Sequence, residues 1–164
     1  MTGACIGVKP SIRVLGLGNE ILGDDALGIR VAREAEARFG SQVEVVCSSQ
    51  AGFHGMDDLL SVSRLLVVDS IQTGAAKPGT VYMLDEHAIP PAAGPGSHSS
   101  GIFEVLAVAR RLGLQVPAEC VIVAVEATDC TTVGGSMHPD VEAAIPAVME
   151  LIGQFVTAEP ARRR

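Results

Sequence analysis

Three separated segments of this chain carry side chains that can bind a divalent metal ion. Asp25 follows a glycine-rich turn, Asp69 follows an aliphatic run, and His98 follows a segment rich in proline and glycine. Two carboxylates and one imidazole form a mixed oxygen and nitrogen donor set, which suits a borderline ion such as Zn²⁺ or Ni²⁺. Three protein ligands also leave coordination positions open for water or a substrate. The sequence therefore predicts a candidate metal site if the fold brings these segments together.

Each of these residues also has a structural interpretation when it is considered alone. An aspartate at the start of a helix commonly caps the helix or interacts with its dipole, and we predict that Asp24, next to Asp25, is such a cap. Asp69 can start a turn after its strand, and His98 can be a surface residue before a helix. The residue types alone leave the ligand and the structural interpretations open.

The elements that must position these residues alternate along the chain. Aliphatic runs predict strands over 12–17, 43–47, 64–68, 80–84 and 120–125. Apolar residues at helical spacing predict helices over 26–39, 56–62, 102–112 and 139–155, with an irregularity at Pro146. This alternation predicts an α/β fold with a mainly parallel sheet. The short link between the third and fourth strands favours one antiparallel pair, so we expect a mixed sheet.

The predicted topology brings the candidate ligands to one place. In open α/β sheets, ligands bind outside the carboxyl ends of the strands, and Asp25, Asp69 and His98 all follow such ends. No repeat or linker divides the chain, which predicts one domain over residues 1–164, with flexible termini at 1–10 and 158–164.

Composition excludes several classes of function. The net charge of −7 and the absence of a basic stripe argue against nucleic-acid binding. No stretch approaches the roughly 20 apolar residues that span a bilayer, and no leader pattern opens the chain, so we expect a cytoplasmic protein without membrane contact. The four cysteines form no Cys-x-x-Cys pair, which argues against a zinc knuckle. Cys47 and Cys120 lie in apolar runs and are expected to be buried.

A nucleotide site is a further interpretation of the glycine turn, and its chemistry does not fit. Gly16 and Gly18 follow a strand, but Ile21 stands where a dinucleotide fingerprint has its third glycine. The second strand ends in Cys47 and Ser48 instead of an acidic residue. Two carboxylates in the turn would also repel a pyrophosphate.

These motifs resemble those of the hydrogenase maturation endopeptidases over nearly the whole chain. The most specific match is Leu15-Gly16-Leu17-Gly18-Asn19 followed by Asp24-Asp25-Ala26-Leu27-Gly28. Supporting matches are Leu66-Val67-Val68-Asp69, the Lys-Pro-Gly-Thr turn at 77–80, and Ser97-His98 before a helix. The resemblance implies a three-layer α/β/α sandwich around a mixed five-stranded sheet. It also implies that Asp25, Asp69 and His98 are the metal-binding and catalytic residues.

The resemblance further implies an activity. Members of the family remove the C-terminal extension from the large-subunit precursor of nickel-iron hydrogenases after nickel insertion. The implied partner is the nickel-loaded precursor, and the implied metal is the nickel that this substrate presents. Zn²⁺ or Cd²⁺ can substitute for it in a crystal. The implied enzyme is a monomeric aspartic-type endopeptidase. The metal can polarise the scissile carbonyl, or it can serve recognition while a carboxylate acts as the base. Some members have Glu where Asp25 stands, and some have Asp where Cys47 aligns.

Two alternatives remain open from the sequence. The first is a module that docks on the large subunit and checks its nickel without cutting it. The second is a peptidyl-tRNA hydrolase, because those enzymes share the Gly-Leu-Gly-Asn turn. They follow it with proline, however, whereas this chain has Glu20, no histidine before His54, and an acidic charge unsuited to tRNA.

Overall fold

A five-stranded sheet forms the centre of the computed structural model, which describes residues 11–50, 52–86 and 101–159. The strands are β1 (Ile12–Leu17), β2 (Glu44–Ser48), β3 (Arg64–Ile71), β4 (Val81–Leu84) and β5 (Glu119–Glu126). Their order is β2-β1-β3-β5-β4, and β4 is antiparallel to β5 while the other pairs are parallel. The mixed sheet predicted from the sequence is confirmed.

Helices cover both faces of this sheet. They are α1 (Leu27–Phe39), α2 (Met56–Leu59), α3 (Ile102–Arg111), α4 (Pro139–Ala143) and α5 (Ile145–Thr157). Side chains of a strand alternate between faces, so Leu66 and Val68 of β3 pack in one core with α1, α4 and α5. Leu65 and Val67 pack in the other core with α2 and α3. The result is the expected three-layer sandwich.

β4 forms the antiparallel pair with a different strand from the one that the short link predicts. That link predicts pairing of β3 with β4, but β4 pairs with β5. The reason is that β5 forms an eight-residue parallel ladder with the fully buried β3, which leaves β4 the outer edge of β5. The irregularity at Pro146 is observed, because the predicted last helix is divided into α4 and α5 just before this proline.

Two glycines allow α1 to lie directly on the sheet. A Cβ on Gly16 would overlap the carbonyl oxygen of Gly28 and lie 2.6 Å from the Cβ of Ala32. A Cβ on Gly28 would overlap the carbonyl oxygen of Leu17 and lie 2.6 Å from that of Val68. Any side chain at either position would push the helix away from β1 and β3, so these glycines fix the place where α1 begins.

No helix in the described part of the chain is long and apolar enough to span a bilayer. The single domain with flexible ends stays a prediction, and residues 1–10 and 160–164 lie outside the described ranges.

Candidate functional site

Asp25 lies in a 3₁₀ turn, Gly23–Ala26, that connects β1 to α1, and its side chain is buried. The preceding glycine turn holds it there. Gly18 has a φ of +140° and approaches the carbonyl of Asp25 so closely that a Cβ would overlap it. The amide of Asn19 donates to that carbonyl at 3.2 Å, and the amide of Asp25 donates to the carbonyl of Leu22 at 2.8 Å. The glycine motif therefore serves to place an acid.

Asp69 lies within β3 and is fully buried. The strand that the sequence predicts ends at residue 68, so Asp69 is expected to be a ligand or the start of a turn. The turn interpretation is wrong, because β3 and β5 stay paired as far as Ile71 and Glu126. Asp69 is therefore held by the sheet itself, near its carboxyl edge.

Ser70 connects the two acids. Its amide donates to Oδ1 of Asp69 at 2.9 Å, and its hydroxyl lies 3.2 Å from Oδ1 of Asp25, to which it donates. Ser70 is 1% exposed. Successive residues of a strand face opposite sides, so Asp69 lies on the α3 face of β3, while Ser70 lies on the α1 face beside Asp25. Sequence reasoning missed Ser70, although this alternation places the residue after Asp69 on the face where α1 starts.

Cys130 completes this buried group. Its Sγ lies 3.5 Å from Oγ of Ser70, and burial, helped by the nearby charges of Asp25, Asp24 and Asp69, raises the pKa of the thiol to about 11 even though the contact with Ser70 opposes the shift. The thiol therefore stays protonated at neutral pH. Because the single proton of the Ser70 hydroxyl goes to Asp25, we assign the thiol as the donor to Oγ of Ser70.

Asp24 does not cap a helix, so that prediction is wrong. Its carboxylate accepts hydrogen bonds from the amide and hydroxyl of Thr128 (2.8 and 2.9 Å), the amide of Asp129 (3.0 Å) and the amide of His138 (2.6 Å). Burial alone would raise the pKa of Asp24, but these bonds outweigh it and lower the pKa. The turn buries Asp24 against the segment that follows β5, so its oxygens face those amides instead of the amides of its own helix.

Glu126 has a similar role at the end of β5. Its carboxylate accepts from the amide and hydroxyl of Thr73 (2.8 and 2.6 Å), the amide of Gly74 (2.9 Å) and the hydroxyl of Tyr82 (3.0 Å). Burial would raise the pKa of Glu126, and the hydrogen bonds lower it overall. Glu126 thus fastens the segment between β3 and β4 to the sheet.

Cys47 is exposed, which contradicts the expectation that it is buried. The reason is that β2 is an edge strand, so its apolar pattern does not imply burial on both sides. Cys47 lines an open groove of about 340 Å³ at the ends of β1 and β2, together with Asn19, Glu20, Arg33 and Ser48 among others. Cys120, also expected to be buried, is partly exposed.

The metal-ligand prediction is only partly covered by the structure. Asp25 and Asp69 each accept a hydrogen bond from Ser70, while His98 lies outside the described residues. Among the described ranges, no group of three or more His, Cys, Asp or Glu side chains converges as a metal site. The two acids can supply oxygen ligands to a cation or accept a proton from water.

Two solved structures of endopeptidases share this fold. The hydrogenase maturating endopeptidase HybD from E. coli superimposes with a TM-score of 0.69 at 26% identity, covering 87% of this chain and 89% of that one. A solution structure of an endopeptidase from Escherichia coli gives a TM-score of 0.72 at 25% identity over 91% and 95% of the two chains.

The family follows from sequence comparison. The model of the hydrogenase maturation protease family matches residues 29–154, so the chain belongs to that family. The Hydrogenase 2 maturation protease of Escherichia coli is 29% identical over 86% of this chain and 87% of its own length. The hydrogenase expression/formation protein HupD of Thiocapsa roseopersicina is 29% identical over 94% and 72% of the two lengths. These relatives do not favour the peptidyl-tRNA hydrolase alternative.

Proposed function

We propose that the protein is the endopeptidase that removes the C-terminal extension from the large-subunit precursor of a nickel-iron hydrogenase after nickel insertion. The observation that supports this most directly is the pair of buried acids, Asp25 and Asp69, at the carboxyl edge of a sheet of the family's fold. Membership of the hydrogenase maturation protease family supports the substrate class. The cytoplasmic location and the monomeric state stay predictions.

In this proposal nickel belongs to the substrate. Asp25 and Asp69 supply carboxylate oxygens to the nickel that the precursor presents, and His98 supplies an imidazole nitrogen. The donor chemistry fits, because a borderline ion accepts both oxygen and nitrogen ligands. Recognition of the nickel would restrict cleavage to precursors that have received it. A carboxylate of the pair can also take the proton from the water that attacks the scissile carbonyl, as expected of an aspartic-type enzyme.

The experiment incubates the purified protein with nickel-loaded and nickel-free precursor and measures the mass of the large subunit. We expect loss of a C-terminal peptide from the nickel-loaded form. The Asp25→Asn variant should leave the precursor intact, whereas Asp57→Asn, which changes an exposed acid on α2, should cut normally. A stable complex without cleavage would refute the protease assignment and favour the nickel-checking docking module.

A crystal soaked in Cd²⁺ or Zn²⁺ tests the ligand set separately. We expect metal density among Asp25, Asp69 and His98. Density at another place on the molecule would refute this set of ligands while leaving the cleavage experiment unaffected.

A further inference from the structure

Ser70 makes contact with both candidate acids although it carries no charge. Its amide donates to Asp69 and its hydroxyl donates to Asp25, and all three side chains are 1% exposed or less. We propose that Ser70 is a positioning residue that fixes the orientation of the Asp25 carboxylate relative to Asp69. This inference rests on the proposed function, because it concerns the reaction assigned to these acids.

The geometry gives this serine its role. Asp69 and Ser70 are neighbours in β3 and face opposite sides of the sheet, while Asp25 approaches from the α1 side. Asp25 belongs to a short turn and Asp69 to a strand that is buried along its length, so the two acids sit on different elements. The hydroxyl of Ser70 lies on the α1 side, and the backbone amide of Ser70 lies beside Asp69. The strand therefore carries a donor for an acid on each face.

The hydroxyl of Ser70 has two neighbours, a carboxylate and a thiol. Its oxygen has Sγ of Cys130 at 3.5 Å, and its proton is directed to Oδ1 of Asp25 at 3.2 Å. A donor to a carboxylate makes a stronger bond than a contact with a weak thiol donor, so the bond from Ser70 to Asp25 is the one expected to matter for the orientation of that carboxylate. Partners that orient a functional side chain in this way commonly change activity by about 10- to 100-fold when they are removed.

A purely structural role is the alternative, and Cys130 provides the matched control. The Cys130→Ala variant removes a sulfur atom, which is larger than the oxygen that Ser70→Ala removes, from the same buried group. It keeps the hydrogen bond from the Ser70 hydroxyl to Asp25. If Ser70 acts by packing, both variants should change activity alike. If it acts through Asp25, only the loss of the hydroxyl should be severe.

The test measures kcat, KM and Tm with the nickel-loaded precursor. We expect Ser70→Ala to lower kcat about 10- to 100-fold with KM within about threefold of wild type. Cys130→Ala should keep kcat within about threefold. Two variants of equal shape separate packing from hydrogen bonding: Ser70→Thr keeps a hydroxyl and should recover most of kcat, whereas Ser70→Val should not.

Three results overturn the inference: wild-type kcat in Ser70→Ala, equal losses of kcat in Ser70→Ala and Cys130→Ala, or equal kcat in Ser70→Thr and Ser70→Val. If Ser70→Ala fails to fold, the comparison of threonine with valine decides. The wild-type protein is assayed alongside. If it leaves the precursor uncut, the proposed function fails and the inference fails with it; if it cuts and the variants behave alike, only the inference fails.

Discussion

Four buried acids lie near the carboxyl edge of the sheet, and they form two regions with different partners. Asp24 and Glu126 bind the amides and hydroxyls of loops, and each fastens one loop to the fold. Asp25 and Asp69 are connected to each other through Ser70. All four side chains are buried carboxylates, so neither carboxylate chemistry nor burial distinguishes the two regions. The hydrogen bonds described above differ between them.

The two regions also depend on each other. Asp24 and Asp25 are adjacent, and Asp24 holds the segment that begins just after β5, on which Cys130 lies. Cys130 in turn contacts Ser70. The loop-fastening acids thus form part of the surroundings of Asp25 and Asp69, the support that a candidate site needs from neighbouring residues to keep a fixed geometry.

The largest expected effect is that of removing the charge from Asp25 or Asp69. Asp25→Asn and Asp69→Asn keep the shape of each side chain, and we expect kcat/KM for precursor cleavage to fall by about 100- to 10,000-fold, the range for loss of an acid–base group. The mass of the large subunit over time measures this. Activity within threefold of wild type in either variant would mean that this residue is not part of the site. The contrast between Asp25 and Asp69 on one side and Asp24 and Glu126 on the other would then no longer hold.

The effect of His98→Ala should be of similar size if His98 joins Asp25 and Asp69 at the metal. Loss of an imidazole ligand weakens contact with the nickel that the precursor presents, so processing should stop. His54→Ala, which changes an exposed histidine, is the matched control and should process normally. If both variants cut at the wild-type rate, the candidate site consists of the acids without this histidine.

Much of the fold and part of the site could be predicted from the sequence. β1 was predicted with its observed bounds, because its apolar run ends at a glycine turn, and the mixed sheet followed from the alternation of elements. The sequence predicts Asp25 and Asp69 as candidates because one follows the glycine turn and the other follows an aliphatic run. The function of Asp24 could not be predicted, since its partners lie more than 100 positions away along the chain, at Thr128, Asp129 and His138. Ser70 was missed because a serine within an aliphatic strand shows no motif.

A smaller effect on activity, and a clear one on stability, is expected for Asp24→Asn. The amide keeps an oxygen but loses the charge and brings two donors among backbone amides, so it cannot satisfy the bonds that Thr128, Asp129 and His138 now make. We expect the free energy of unfolding to fall by about 2–4 kcal/mol. Urea denaturation measures this. A loss of kcat as large as that of Asp25→Asn, without loss of stability, would place Asp24 in the candidate site with Asp25 and Asp69.

The smallest effect is a change in how stability depends on pH. The hydrogen bonds to Glu126 and Asp24 lower the pKa of each group in the folded protein below its ordinary value. Below that ordinary value, about 4.5 for a glutamate, the unfolded chain therefore binds more protons than the folded one. The stabilisation is complete above this pH and is lost as the pH falls through the folded pKa. In urea denaturation between about pH 3 and about pH 6, Glu126→Gln should lose less stability than wild type on acidification. Parallel curves for wild type and Glu126→Gln would mean that the bonds from Thr73, Gly74 and Tyr82 do not favour the charged carboxylate, and Glu126 would then no longer group with Asp24.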